Sequence, residues 1–227
     1  MTVTPDLPEQ GDLQTGMPLR IQHAMLGLYV VTVFLTSALL FLVQPMVGKI
    51  LLPQLGGSPA VWNTAMVFFQ VALLLGYAWA HVSLSRLRIR IHVTVTIGLF
   101  VLTILTLPVA LPTDWVPTSV PALWVLLALF VLVGGPFVVL ASMSPTLQRW
   151  LSLSRHPHGR DPYFLYAASN AGSMLGLLAY PLIVEPTFEI SAQTGLWSWF
   201  YAAAAIAVAA CGILAARFRG SAAGATT

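Results

Sequence analysis

FLVQPMVGKILLPQLGGSPAVWNT, residues Phe41 to Thr64, gathers Pro45, Pro53 and Pro59, a lone lysine, a Gly-Gly-Ser-Pro and a Trp-Asn pair in one place. On either side the chain is mostly leucine, valine and alanine. Backbone groups have no water partner in lipid, so irregular backbone is expelled from the hydrocarbon unless protein surrounds it. Polar and helix-breaking residues between two apolar runs therefore read as a turn outside the membrane. Gln44-Pro45 is expected to end the first span at the outer face, with Lys49 just beyond, placed to snorkel. Pro53 and Gly56-Gly57-Ser58-Pro59 then form the outer loop. Pro59 biases Ser58 away from helix and sets up the restart of the second span. Trp62 anchors that restart, and Asn63 is expected to face the bundle.

Composition supports a membrane protein. Of 227 residues, 58% are hydrophobic and 7% charged, with mean hydropathy +0.85. A soluble domain carries about 25% charged residues, so these are too few to cover a surface facing water. The formal charge of +3 is small. The basic residues form neither a face nor a nucleic-acid motif, so no nucleic-acid partner is expected. Cys211 is the single cysteine, which excludes a disulfide and a CxxC metal site. It sits in an alanine-rich run as a small apolar side chain. The polar N-terminus lacks the basic start of a secretory signal, and the first apolar run is too long for one.

Six runs are long enough to cross a hydrocarbon core of about 30 Å as helices. They lie near Ala24–Val47, Val61–Ala80, Ile91–Leu111, Pro121–Met143, Pro162–Val184 and Leu196–Ala216. No apolar–polar alternation suggests a barrel. With six spans, Arg20, Arg86, Arg88, Arg90, Arg149, Arg155, Arg160, Arg217 and Arg219 fall on one side. Lys49, Asp114, Glu185 and Glu189 fall on the other. Cytoplasmic loops collect Lys and Arg, which puts both termini in the cytoplasm. Trp62, Trp115, Trp124, Trp197 and Trp199 would mark the outer interface, and Trp79 and Trp150 the inner. The predicted fold class is all-α, a polytopic membrane protein of six transmembrane helices comparable to a major-facilitator-like half-bundle. Residues 24–216 form the bundle, 1–23 a disordered cytoplasmic tail and 217–227 a short cytoplasmic tail.

Several spans carry internal pattern. Gly134-Gly135-Pro136 interrupts the fourth, either as a packed kink or as a break lining a cavity. Asp161-Pro162 is an N-cap followed by proline at the first helical position. Ala168, Gly172 and Gly176 form a small-residue stripe for close helix contact. Tyr166, Asn170, Ser173 and Tyr180 share another side, available for interhelical hydrogen bonds. On the second span, Asn63, Gln70, Tyr77 and His81 align along one face. Intramembrane polar residues are functional candidates, and the outer half is expected to gather Gln44, Lys49, Asn63, Gln70 and Glu185. Lys49 and Glu185 are expected to pair; a separation beyond about 10 Å would dissolve the pairing by screening. With Tyr166, Asn170 and Ser173 these five make up the candidate binding cluster.

The residues from Phe41 to His81, FLVQPMVGKILLPQLGGSPAVWNTAMVFFQVALLLGYAWAH, resemble the opening of the bacterial membrane-embedded spermidine synthase-like proteins, the fused major-facilitator/spermidine synthase family. GGPFVVLASMSPTLQRWLS and DPYFLYAASNAGSMLGLLAYPLIVEPTF resemble its later membrane region, and the likeness spans roughly Leu39 to Trp199. In that family a soluble aminopropyltransferase-like domain follows, with a methyltransferase-like α/β fold and a Gly-rich loop for decarboxylated S-adenosylmethionine. No strand, Gly-rich turn and helix with a following acid occurs here. No catalytic residue, cofactor or metal site is therefore carried over, and enzyme activity is not expected of this chain alone. The resemblance implies a non-catalytic domain of the bacterial inner membrane that tethers or feeds a polyamine aminopropyltransferase-type partner. That partner is either a soluble domain or a second membrane half. The competing reading is a transporter, or half of one, for a small cationic solute, with Glu185 and Glu189 attracting the cation at the outer mouth. An intramembrane enzyme fits poorly: Ser142, Ser144, Ser169 and Ser173 have no buried histidine beside them in sequence, and His156-Pro-His158 alone is a weak metal pattern.

Overall fold

The computed structural model describes residues 19–55, 58–111, 120–154 and 162–218, which are helical with short connectors. The expected features at residues 1–18, Gly56-Gly57, Asp114, Trp115, Arg155, His156, His158, Arg160, Asp161 and the 219–227 tail lie outside the described residues.

Helix α1 runs from Leu19 to Leu55, 37 residues, with Pro45 and Pro53 inside it. At 1.5 Å per residue it is about 55 Å long, well beyond one hydrocarbon core. Two sequence expectations are corrected here. The helix begins at Leu19, inside the segment expected to be a disordered tail, and Pro45 does not end it. Proline inside a helix is tolerated in a membrane when neighbours serve the backbone carbonyls it disturbs. The carbonyl that Pro45 leaves without its helical N–H is that of Phe41; roughly one to two turns before the proline, Trp197 donates its indole N–H to the Leu39 carbonyl at 3.1 Å. The Gln44 amide reaches the Leu40 carbonyl at 3.5 Å.

Helix α2 spans Pro59–Arg86, with Ser58 as N-cap accepting from the Val61 N–H at 3.4 Å and Pro59 in the first turn. Here the restart read from Pro59 agrees with the structure. Helix α3 covers Ile89–Ile104, only 16 residues. It stops short of the expected Leu111, shortly before Pro108, whose ring disfavours helix at the preceding residue. The fourth apolar run is segmented: α4 (Pro121–Leu129), a π-helical turn (Phe130–Gly134), α5 (Gly135–Ala141) and α6 (Met143–Leu153). The π turn ends where Gly134-Gly135-Pro136 begins, consistent with a proline that supplies no N–H to the ladder. Helix α7 (Tyr163–Ala179) likewise passes through a π turn (Tyr180–Val184) containing Pro181 into the short α8 (Glu185–Thr187). Helix α9 runs from Ile190 to Arg217. Five of these segments are long and apolar enough to cross a membrane, and α3 is a shorter apolar helix. The protein is thus an all-α bundle built for a multi-pass membrane location.

Helix α1 is the centre of the bundle, with α7 and α9 packed along it and α5 and α6 also against it. Small residues let backbones approach. A Cβ on Gly172 would strike the backbone of Phe34, and one on Gly176 that of Ala38. The small-residue stripe is therefore the α1–α7 contact, and Ser37 and Ser169 hydroxyls bond across it at 2.9 Å. Helix α2 docks by the same device. It buries Ala65, Phe69, Ala72, Gly76, Ala80 and Ser83, and a Cβ on Gly76 would meet the Val138 carbonyl at 2.8 Å. Trp124, Trp150 and Trp197 are buried rather than set in an interfacial belt, whereas Trp62, Trp79 and Trp199 are exposed.

Candidate functional site

The polar residues of α2 face outward, among exposed Met66, Val67, Val71, Leu74 and Leu75. Asn63, Gln70, Tyr77 and His81 are all exposed, because the small residues on the opposite face take the bundle contact. This corrects the expectation that Asn63 faces the bundle. On α7, Tyr166 and Asn170 are exposed as well. Ser173 donates to its own helix, to the Ser169 carbonyl at 2.9 Å. Tyr180 is buried, with no hydrogen-bond partner for its hydroxyl among the described residues. The side of α7 expected to supply interhelical hydrogen bonds is thus not spent on them.

The α2–α7 side of the bundle carries two recesses. At its first end, Tyr77, His81, Leu84 and Ser85 of α2 face Tyr166 of α7 across Ser144, Pro145, Gln148 and Arg149 of α6. This open recess holds about 680 Å³. At the other end, Trp62, Ala65, Met66 and Phe69 of α2 face Leu177 of α7, over Gln44, Pro45 and Gly48 of α1 and Leu129 of α4. That part is narrower, about 230 Å³, and almost wholly apolar in lining. Met66, Gln70 and Tyr77 share one side of α2, and Tyr166, Asn170 and Leu177 one side of α7, by helical spacing. Gln70 and Asn170 are exposed on these sides and line neither recess. Met66 and Tyr77 are about 16 Å apart along the axis, roughly half a hydrocarbon core.

Lys49 Nζ lies 3.0 Å from Glu185 Oε1, with the two side chains 35% and 45% exposed. The pairing expected from sequence is present and ties the end of α1 to the start of α8. It also changes the part Glu185 can play, since its carboxylate already holds a cation of the chain itself. Gln44 lies in the apolar recess, but Asn63 and Gln70 are on neither recess lining and do not join Lys49 and Glu185. The expected five-residue convergence thus reduces to one ion pair with Gln44 in the neighbouring recess.

One buried polar cluster escaped the sequence reading. His92, only 2% exposed, accepts at Nδ1 from the Trp150 indole N–H at 3.2 Å. Indole is a donor only, so Nδ1 is unprotonated and the ring proton sits on Nε2. Nε2 is 3.0 Å from Ser83 Oγ, and Ser83 donates onward to the Trp79 carbonyl at 2.6 Å. A serine beside a histidine invites comparison with a nucleophile and its base. Here the imidazole donates to the serine instead of accepting from it, and both are sealed from solvent, so the arrangement joins α2, α3 and α6. Position near a span end hid it, since sequence does not say which way a helix end turns.

The chain matches no protein-family model, no curated protein and no solved structure.

Proposed function

We propose that this chain is a non-catalytic integral membrane module of a spermidine synthase-like system, tethering or feeding an aminopropyltransferase-type partner. The observation that carries the reading is the open recess between α2 and α7, lined by Tyr77, His81, Gln148 and Tyr166, with Gln70 and Asn170 exposed farther along the same two helices. Amides on a lipid-facing wall are costly inside a bilayer. A hydrogen-bonding occupant removes that cost, either a second membrane half or a passing amine. The sequence resemblance supplies the chemical class, a polyamine or its diamine precursor.

In this reading the chain crosses the bacterial inner membrane six times. Helix α3 covers about 24 Å, and the residues from Leu105 to Leu111 complete its crossing in a more extended form. Arg90 and Arg217 share one recess, and Arg149 lies beside His81 and Ser85. Arginines near one end support reading that end, and with it both termini, as cytoplasmic.

A transporter half for a small cationic solute is the second reading. It is favoured by the π turns at Phe130–Gly134 and Tyr180–Val184, which interrupt two helices that contribute to the recesses. Interrupted helices border the substrate site in many transporters. Glu185 would then take part only by releasing Lys49.

Binding of radiolabelled putrescine and spermidine to the full chain in nanodiscs tests the occupant. Saturable binding is expected, weakened about tenfold, or 1.4 kcal/mol, when Gln70→Leu and Asn170→Leu are combined. Absence of saturable binding in a folded sample overturns the polyamine assignment. Flux of either amine into proteoliposomes would select the transporter reading. Aminopropyl transfer by the chain alone would overturn the non-catalytic one.

A further inference from the structure

We infer that Arg90 and Arg217 form a clamp for the phosphate headgroup of an anionic phospholipid, at a site separate from the α2–α7 recesses. The two arginines are far apart in sequence, on α3 and α9, yet line one open recess of about 490 Å³ with Val93, Thr94, Ile213 and Ala216. No carboxylate is among these lining residues. The one ion pair among the described residues is Lys49–Glu185, elsewhere in the bundle. Two guanidiniums brought to one recess repel each other, and a bound anion reverses the sign of that interaction.

The clamp is held by packing. A Cβ on Gly212 would lie 2.8 Å from Val93 Cγ1 and 2.9 Å from Trp150 Cζ3. Helices α3 and α9 are therefore locked together about one turn from each arginine. Trp150 is itself fixed by its bond to His92 at 3.2 Å. The backbone positions that carry the two arginines are thus set before any ligand arrives, which lowers the ordering cost of binding.

The rest of the lining selects a lipid over a free anion. Val93, Ile213 and Ala216 are apolar, and the Thr94 hydroxyl is already donated to the Arg90 carbonyl at 3.0 Å. A small hydrated anion gains nothing from such a wall, whereas a glycerol backbone and the start of an acyl chain do. Basic recesses between membrane helices suit anionic headgroups for this reason, and guanidinium forks match phosphate oxygens in pairs.

Native mass spectrometry of the full chain, released from detergent with defined lipids added, tests the inference. Phosphatidylglycerol is expected to be retained in preference to phosphatidylcholine of the same acyl chains. Arg90→Gln and Arg217→Gln are each expected to weaken that retention about five- to tenfold. Arg86→Gln, which removes an equal charge outside the recess, should leave it unchanged. Arg90→Lys and Arg217→Lys keep the charge but lose the fork, and should fall between. Equal losses in Arg86→Gln and the two site variants would reduce the effect to the general field of a basic end and overturn the clamp. Indifference between the two lipids in the wild-type chain, which needs no variant to fold, would overturn it too. Inorganic phosphate at millimolar concentration should not displace the lipid; displacement would make the site one for a free anion.

Discussion

Alanine at Gly172 and at Gly176 tests the contact on which the bundle rests. In each case the added methyl would meet backbone of α1, the carbonyl and Cα of Phe34 or of Ala38. A side chain in that place could rotate aside, but a carbonyl of a continuous helix cannot. The helices must part by several tenths of an ångström along the seam that Ser37 and Ser169 bridge. Overpacking of this kind costs about 1–3 kcal/mol per site. Because the clash is with backbone, each site belongs at the upper end of that range, about 2–3 kcal/mol; better helix propensity returns up to about 1 kcal/mol, leaving a net loss of roughly 1–3 kcal/mol for each variant. The two sites share one seam, so the double variant should lose less than the sum, because the first substitution has already opened the gap. Gly195, with open space around its Cβ position, is the internal control. Gly195→Ala should be neutral or stabilising by up to about 1 kcal/mol. Reversible unfolding in mixed dodecyl maltoside and SDS micelles, followed by circular dichroism, measures all four variants. If Gly172→Ala and Gly176→Ala both fall within about 0.5 kcal/mol of the wild type, the α1–α7 approach is not as described and the argument fails.

Other expectations follow from single contacts. Ser83→Ala removes the acceptor for His92 Nε2–H in a sealed site and should cost about 1–3 kcal/mol in the same assay. Adding His92→Leu should recover part of that loss if the unpaired N–H is its cause; no recovery would refute this assignment. The Lys49–Glu185 pair is over a third exposed on both sides, so a double-mutant cycle should give a coupling of only about 0.2–1 kcal/mol. A coupling well above that range would mean the pair is drier than its exposure suggests. Trp150→Phe keeps most of the ring packing but removes the N–H donated to His92, and should destabilise by about 1 kcal/mol. An unchanged midpoint would show that the indole donor does not contribute.

Sequence alone determined the solvent. Long apolar runs with few charges commit the chain to helices in lipid, and the structure has those helices. Some local devices were equally legible: Pro59 restarting α2, the Ala168–Gly172–Gly176 stripe, and Lys49 with Glu185 as opposite charges near one end. The clustering of arginines was visible as a pattern, but not that Arg90 and Arg217 share a recess. Tertiary structure decided which face of each helix is inside. On α2 the sequence reading placed Asn63 toward the bundle, while the structure buries Ala65, Ala72, Gly76 and Ala80 instead. It also carried α1 through Pro45 and sank His92 and Trp150 into the core. The reason is the solvent itself. In water, polarity separates outside from inside; in a bilayer both sides of a helix meet apolar surroundings. Burial then follows shape, the fit of one backbone against another, and shape exists only once the helices are assembled.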